Sequence, residues 1–243
     1  MEQNTFPQNP AFIGTGDASS VRTFLANVFT YMTMALVISG IMAWWFGNDM
    51  TKLQYLINFE TGSNTILGWV VMFAPLALVF VMAGLVNKMS GPMLLATFIA
   101  FSTIMGISLS YIFLIYSMTS IANVFFITAA VFGIMAVAGY TTKTDLTKLG
   151  SILMIGLIGI IIASVVNMFL KSDTMGYIVS IIGVVVFTGL TAYDVQKLKR
   201  IGEQAIAGTE GAQKMALMGA LTLYLDFINL FLMMLRLFGG RRD

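Results

Sequence analysis

Residues 221–240 read LTLYLDFINLFLMMLRLFGG, an apolar run long enough to cross a bilayer with Asp226 near its middle. A carboxylate at the centre of a spanning helix costs about 2.5–3.5 kcal/mol on insertion scales. Such a side chain faces protein or water rather than lipid. At helical spacing Thr222, Asp226, Asn229 and Arg236 share one side of the helix, with Met233 between the last two. The polar stripe needs shelter, so the rest of the chain is expected to be arranged around this helix.

Composition supports that arrangement. Of the 243 residues 58% are hydrophobic and 10% charged, whereas soluble domains carry about 25% charged residues. The chain reads as an all-α integral membrane protein without a separate soluble domain. A net charge of +2 gives no reason to expect a nucleic-acid partner; the bilayer is the expected environment. Histidine and cysteine are absent, which excludes disulfides, Cys or His metal sites, Ser-His and Cys-His catalysis and histidine pH switches. Proton or metal chemistry is left to carboxylates, hydroxyls, amides and carbonyls, which suit calcium or magnesium. No resident cofactor is expected.

Hydropathy divides the chain into seven spans at about 23–46, 66–86, 92–116, 120–140, 149–170, 176–199 and 215–238. Residues 1–21 are expected to be a disordered tail and 22–240 a single membrane domain. Met1 to Ser20 is polar, contains Pro7 and Pro10 and lacks a signal-peptide pattern. Arg22, Lys88, Lys143, Lys148, Lys197, Lys199, Arg200 and Lys214 fall on the side of the N-terminus. Lys52, Lys171, Arg236, Arg241 and Arg242 fall on the other. This bias predicts a cytoplasmic N-terminus and a C-terminus on the opposite side. The basic tail suggests an alternative, a re-entrant last segment. Small and polar residues (Gly156, Gly159, Ser164 and Asn167 in span five; Ser180, Gly183, Thr191 and Asp194 in span six) predict close helix packing. Pro75, mid-way in span two, leaves a carbonyl unbonded one turn earlier and is a candidate hinge.

Two acids stand out from the interfacial ones: Asp194 in GLTAYDVQKLKR (189–200), and Asp226. The 200–214 linker brings spans six and seven to one membrane face. If the spans end near Arg200 and begin near Lys214, the acids lie roughly 9 and 16 Å inside that face at 1.5 Å per residue. Tilt or a later start of the last helix would bring them level. Carboxylates in contact cannot both ionise cheaply, so they would share a proton and could exchange it for a cation. A buried hydrogen bond locking two helices is the structural alternative.

TAYDVQKLKR (191–200) with LYLDFINLFLMMLRLFG (223–239) resembles the closing signature of the Bax inhibitor-1 (transmembrane Bax inhibitor motif) family. GISLSYIFLIYS (106–117), FFITAAVFGIMAVAGYTTKTDLTKLGS (125–151), GLIGIIIASVVNMFL (156–170) and FLANVFTYMTMALVISG (24–40) are similar to bacterial members. The resemblance spans nearly all of 22–240. It implies a seven-transmembrane-helix bundle with the last helix central, in a bacterial inner (plasma) membrane. It also implies a pH-sensitive calcium leak, with Asp194 and Asp226 as the proton and cation sensor and calcium as the transported ion near them. Some relatives hold the pair with an arginine from the second helix. Span two has no charged residue here, so that latch is missing or supplied by Lys88 or Lys197. Eukaryotic relatives suppress cell death, a role on which these residues are silent.

The leading expectation is a calcium (cation) leak channel, not an enzyme. An interaction or stress-modulating protein with a structural aspartate pair is the non-transport alternative. An intramembrane aspartyl protease is remote, because Tyr224-Leu225-Asp226 lacks the glycines of GxGD, and a rhodopsin is excluded by the absence of a lysine between Ala216 and Leu235.

Overall fold

A computed structural model describes residues 18–206 and 208–240. Nine helices and one small hairpin are found among them. In chain order they are α1 (Ala18–Gly47), α2 (Met50–Leu53), β1 (Ile57–Asn58), β2 (Ser63–Asn64), α3 (Ile66–Leu85), α4 (Gly91–Leu109), α5 (Ile112–Ile115), α6 (Met118–Thr141), α7 (Thr147–Leu170), α8 (Asp173–Gln204) and α9 (Glu210–Phe238). Seven spans result: α1, α3, α4 with α5, α6, α7, α8 and α9.

All seven expected spans are present, with three corrections of detail. α1 begins at Ala18, so 18–21 are helix rather than tail; residues 1–17 lie outside the described residues. The 47–65 linker folds into α2 and the antiparallel β1–β2 hairpin, with Ile57 opposite Asn64. The third span breaks at Ser110–Tyr111, where the Ser110 hydroxyl turns back onto the Ile107 carbonyl.

Local chemistry sets the helix starts. Thr65, Ser90, Ser117, Ser172 and Thr209 are N-caps whose hydroxyls accept the amide of the third residue onward, satisfying a donor the helix cannot. Lys171, at φ 50°, closes α7 in the left-handed region, and Asn167 accepts the Ser172 amide across that two-residue connection.

α9 is the central element. Of its most apolar 18 residues 67% are buried, against 17% for α7 and 22% for α3. It packs on α8, α1, α6 and α4. The resemblance and the polar stripe both called for this, and both hold. At 29 residues α9 is about 43 Å long at 1.5 Å per residue. Beyond its far end the Gly240 carbonyl accepts the Ser117 amide, and the Gly240 amide donates to Ser120. The last segment therefore crosses fully and is not re-entrant.

The non-polar side of α9 carries the core. Phe227 and Phe231 meet Phe125 edge-on, Phe227 also meets Phe132, and Tyr224 meets Phe101 at 5.4 Å and 75°. The fully buried Tyr224 donates to Ser39 of α1 at 3.0 Å, and Ser39 donates onward to the Ala35 carbonyl at 2.7 Å. In a Tyr224→Phe protein Ser39 keeps its own acceptor, so only one neutral hydrogen bond is lost. The expected destabilisation is about 1 kcal/mol, read as a lowered midpoint in denaturant unfolding of the detergent-solubilised protein.

Candidate functional site

α8 and α9 run antiparallel and form the most extensive helix pair of the bundle. Small residues allow the approach. Gly219 of α9 faces the Leu198 side chain, and Gly139 of α6 lies against the Ala192 backbone. Asp194 is ten residues before the end of α8 and Asp226 sixteen after the start of α9. The two are nonetheless brought together, with Gly219 of α9 against Leu198, one turn beyond Asp194. The same part of α8 is tied to the α6–α7 connection at Gln196, which donates to the Thr144 carbonyl and accepts the Leu146 amide. Lys199 donates to the Tyr140 carbonyl, and Arg200 pairs with Asp145 at 2.7 Å.

The two carboxyls face each other within hydrogen-bonding reach. Asp194 is 8% exposed and Asp226 6%. Asp226 Oδ2 is buried without a donor, so a proton shared with Asp194 is the interaction open to it among the described residues. Lys197, one turn beyond Asp194, is exposed and carries the nearest positive charge.

Both acids lie on the wall of an open cavity of about 800 Å³ lined by α3, α4, α7, α8 and α9. Thr222, Asn229 and Met233 line it too, with Ser108 and Ser164 adding hydroxyls and Pro75 standing in the α3 wall. The stripe read along the last helix is therefore a cavity face as far as Met233. Arg236 is not part of it. Its guanidinium lies over Gly176, in a second cavity of about 670 Å³ shared with Asp173, Tyr177 and Tyr116. Between the two cavities the Met233 side chain sits on Gly183. Met233 thus separates the linings of the two cavities, and Lys197 lines the large one at its other end along α8.

Of the two lysines considered as partners, Lys197 lines the cavity and Lys88 does not. Lys88 is exposed in the turn between α3 and α4. α3 runs through Pro75 as one helix. In span five Gly156 lies against Val186 of α8 as its small face suggested, whereas Gly159 has nothing packed against it and Asn167 serves the end of α7. The anchoring roles of Gln196 and Lys199, and the Tyr224–Ser39 bond, were not legible as sequence motifs. A polar run ending an apolar helix was their one signal.

Seven spanning helices, the last of them central and burying a paired carboxyl, define an integral membrane protein of the seven-helix bundle class. The family described as inhibitor of apoptosis-promoting Bax1 matches residues 21–243. The inner membrane protein YbhL of Escherichia coli strain K12 is 42% identical over 238 residues, 98% of this chain and 99% of the relative. The uncharacterized protein RP147 of Rickettsia prowazekii is 46% identical over 227 residues, 92% of each chain. A Borreliella burgdorferi protein is 44% identical over 220 residues, 90% of this chain and 93% of its own. The chain belongs to the Bax inhibitor-1 family.

Proposed function

We propose that the protein is a proton-regulated cation leak of the bacterial inner membrane, with its N-terminus in the cytoplasm and calcium as the transported ion. The observation that carries this reading is the Asp194–Asp226 pair on the wall of the large cavity. With one proton between them, the two carboxyls hold α8 to α9. Without it, two negative charges face each other and separate unless a cation takes the proton's place. Two carboxylates, with Asn229 and Thr222 nearby, offer at most six oxygens, the low end of the 6–8 calcium takes. Water would complete any set in which a carboxylate binds through one oxygen, which suits an ion in passage. Among the described residues no group of three or more acidic, histidine or cysteine side chains offers a tighter site.

Regulation near neutral pH would rest on this pair. There is no histidine. Outside the spans, Asp49 is lowered to about 2, chiefly by the hydrogen bond from the Thr51 hydroxyl. Asp145 is held well below the usual carboxylate range by the Thr147 hydroxyl and Arg200. Both stay ionised throughout pH 6–8.

The test is calcium flux into liposomes holding the purified protein and an internal calcium dye. Wild type should leak in a pH-dependent way between pH 6 and 8, and Asp194→Asn and Asp226→Asn should each flatten that dependence. Proton and calcium compete for the same oxygens, so raising calcium should shift the wild-type midpoint to lower pH. Normal pH-dependent flux in the Asp226→Asn protein would refute the proposal. No leak above empty liposomes at any pH would favour the non-transport role.

A further inference from the structure

The large cavity is unsealed on the side facing lipid. α3 packs on α4, α7 packs on α8, and these two outer helices form no packed interface with each other. Yet Met72 and Leu76 of α3 and Leu157 and Ile161 of α7 line the same space. At this depth the surroundings of a spanning bundle are acyl chains rather than water. The gap between the two helices therefore connects the cavity with the bilayer interior.

The opposite wall offers what an uncharged chain cannot use. Asp226 Oδ2 is buried and has no donor. The charged groups lining the cavity are Asp194, Asp226 and Lys197; α3, α4 and α7 contribute none. Asn229 donates its amide hydrogen to the Leu225 carbonyl, which leaves its side-chain oxygen as a further acceptor. The cleft thus has apolar flanks and an acceptor-rich wall, on which the acid pair keeps one negative charge with its shared proton in place and Lys197 is the one cation lining it among the described residues. An ammonium group brings three donors and a compact positive charge to such a wall. A carboxylate or phosphate head would meet like charge, and an alcohol could supply only one donor.

We propose that the cleft between α3 and α7 binds an amphiphile with a primary ammonium head and a single alkyl chain, taken up from the bilayer. The head bonds to Asp194 and Asp226 while the chain lies between α3 and α7. This goes beyond the leak, because the site is filled from lipid rather than from water, and an occupant would obstruct an ion passing the same acids.

The experiment uses the full-length protein in phosphatidylcholine nanodiscs and dodecylamine carrying a mid-chain diazirine, with the matching dodecanol as control. After photolysis, labelled residues are mapped by mass spectrometry. The amine should label the cavity-facing residues of α3 and α7 at roughly tenfold the level of the alcohol, the lower end of what charge-assisted hydrogen bonds give. The excess should vanish in the Asp194→Asn/Asp226→Asn protein. It should vanish too in Ile161→Trp, which fills the cleft and leaves the acids in place. Equal labelling by amine and alcohol would overturn the inference, as would amine labelling spread over α1 and α6 and indifferent to the aspartates. Because no flux is measured, the leak can fail while this site stands, and the reverse.

Discussion

An Asp226→Leu protein should unfold at a higher temperature than wild type while losing pH-dependent calcium flux. The Asp226 carboxyl is 6% exposed, and its Oδ2 has no donor. An acid near mid-membrane costs about 2.5–3.5 kcal/mol on insertion scales, whereas leucine there is favourable by about 0.5 kcal/mol. Room is available, since the side chain lines the large cavity beside Asp194. Part of the difference is already recovered by the proton shared with Asp194, so the expected gain is about 1–3 kcal/mol. Differential scanning fluorimetry of the detergent-solubilised proteins reads the first effect and liposome flux the second. If the carboxyl served as a structural lock, the same substitution would lower the midpoint by a similar amount. A lowered midpoint with flux intact would rule out the functional assignment of this residue.

The second large effect is expected far from any charge. Gly139→Ala should destabilise the bundle by about 3 kcal/mol, the upper part of the usual overpacking range. A methyl group at Gly139 would meet the carbonyl and Cα of Ala192. Backbone lies on both sides of that contact, so no side chain can rotate away. α6 and α8 would have to move apart, and Ala192 is two residues from Asp194, so the pair would shift with them. Gly133→Ala on the same helix, which meets nothing within 4 Å, should cost nothing and gain slightly from helix propensity. The contrast is read from thermal unfolding, with size-exclusion profiles reporting any loss of the folded state.

Several features were readable residue by residue. The seven spans follow from apolar length, because a helix in lipid must satisfy its own backbone over about 20 residues and little else about it matters. The break at Ser110–Tyr111 and the additional turn of α1 escaped, since hydropathy averages over a window wider than a single turn. The central place of α9 was legible because Asp226 and Asn229 in one spanning helix can be sheltered only by surrounding it. The same reasoning overreached at Arg236, three residues past Met233 on the same stripe. Stripe periodicity says which way a side chain points but not where the cavity beneath it ends.

The amino-acid sequence by itself determined that the chain lives in a membrane, that its polar chemistry is confined to carboxylates, hydroxyls and amides, and that Asp194 and Asp226 reach one membrane half. These are consequences of composition and rise per residue, which need no knowledge of neighbours. Tertiary structure alone decided that the two carboxyls face each other. Ten and sixteen residues from their helix ends they are not level by counting, and the offset between α8 and α9 comes from how the two helices pack, with Gly219 of α9 against Leu198 of α8. It alone decided that Lys197 rather than Lys88 lines the cavity with the pair, that Met233 lies on Gly183 between the two cavities, and that α3 and α7 leave the large one open to lipid. Each of these depends on which surfaces meet across more than one helix, and among helices that are apolar nearly all round the sequence pattern carries little record of that choice.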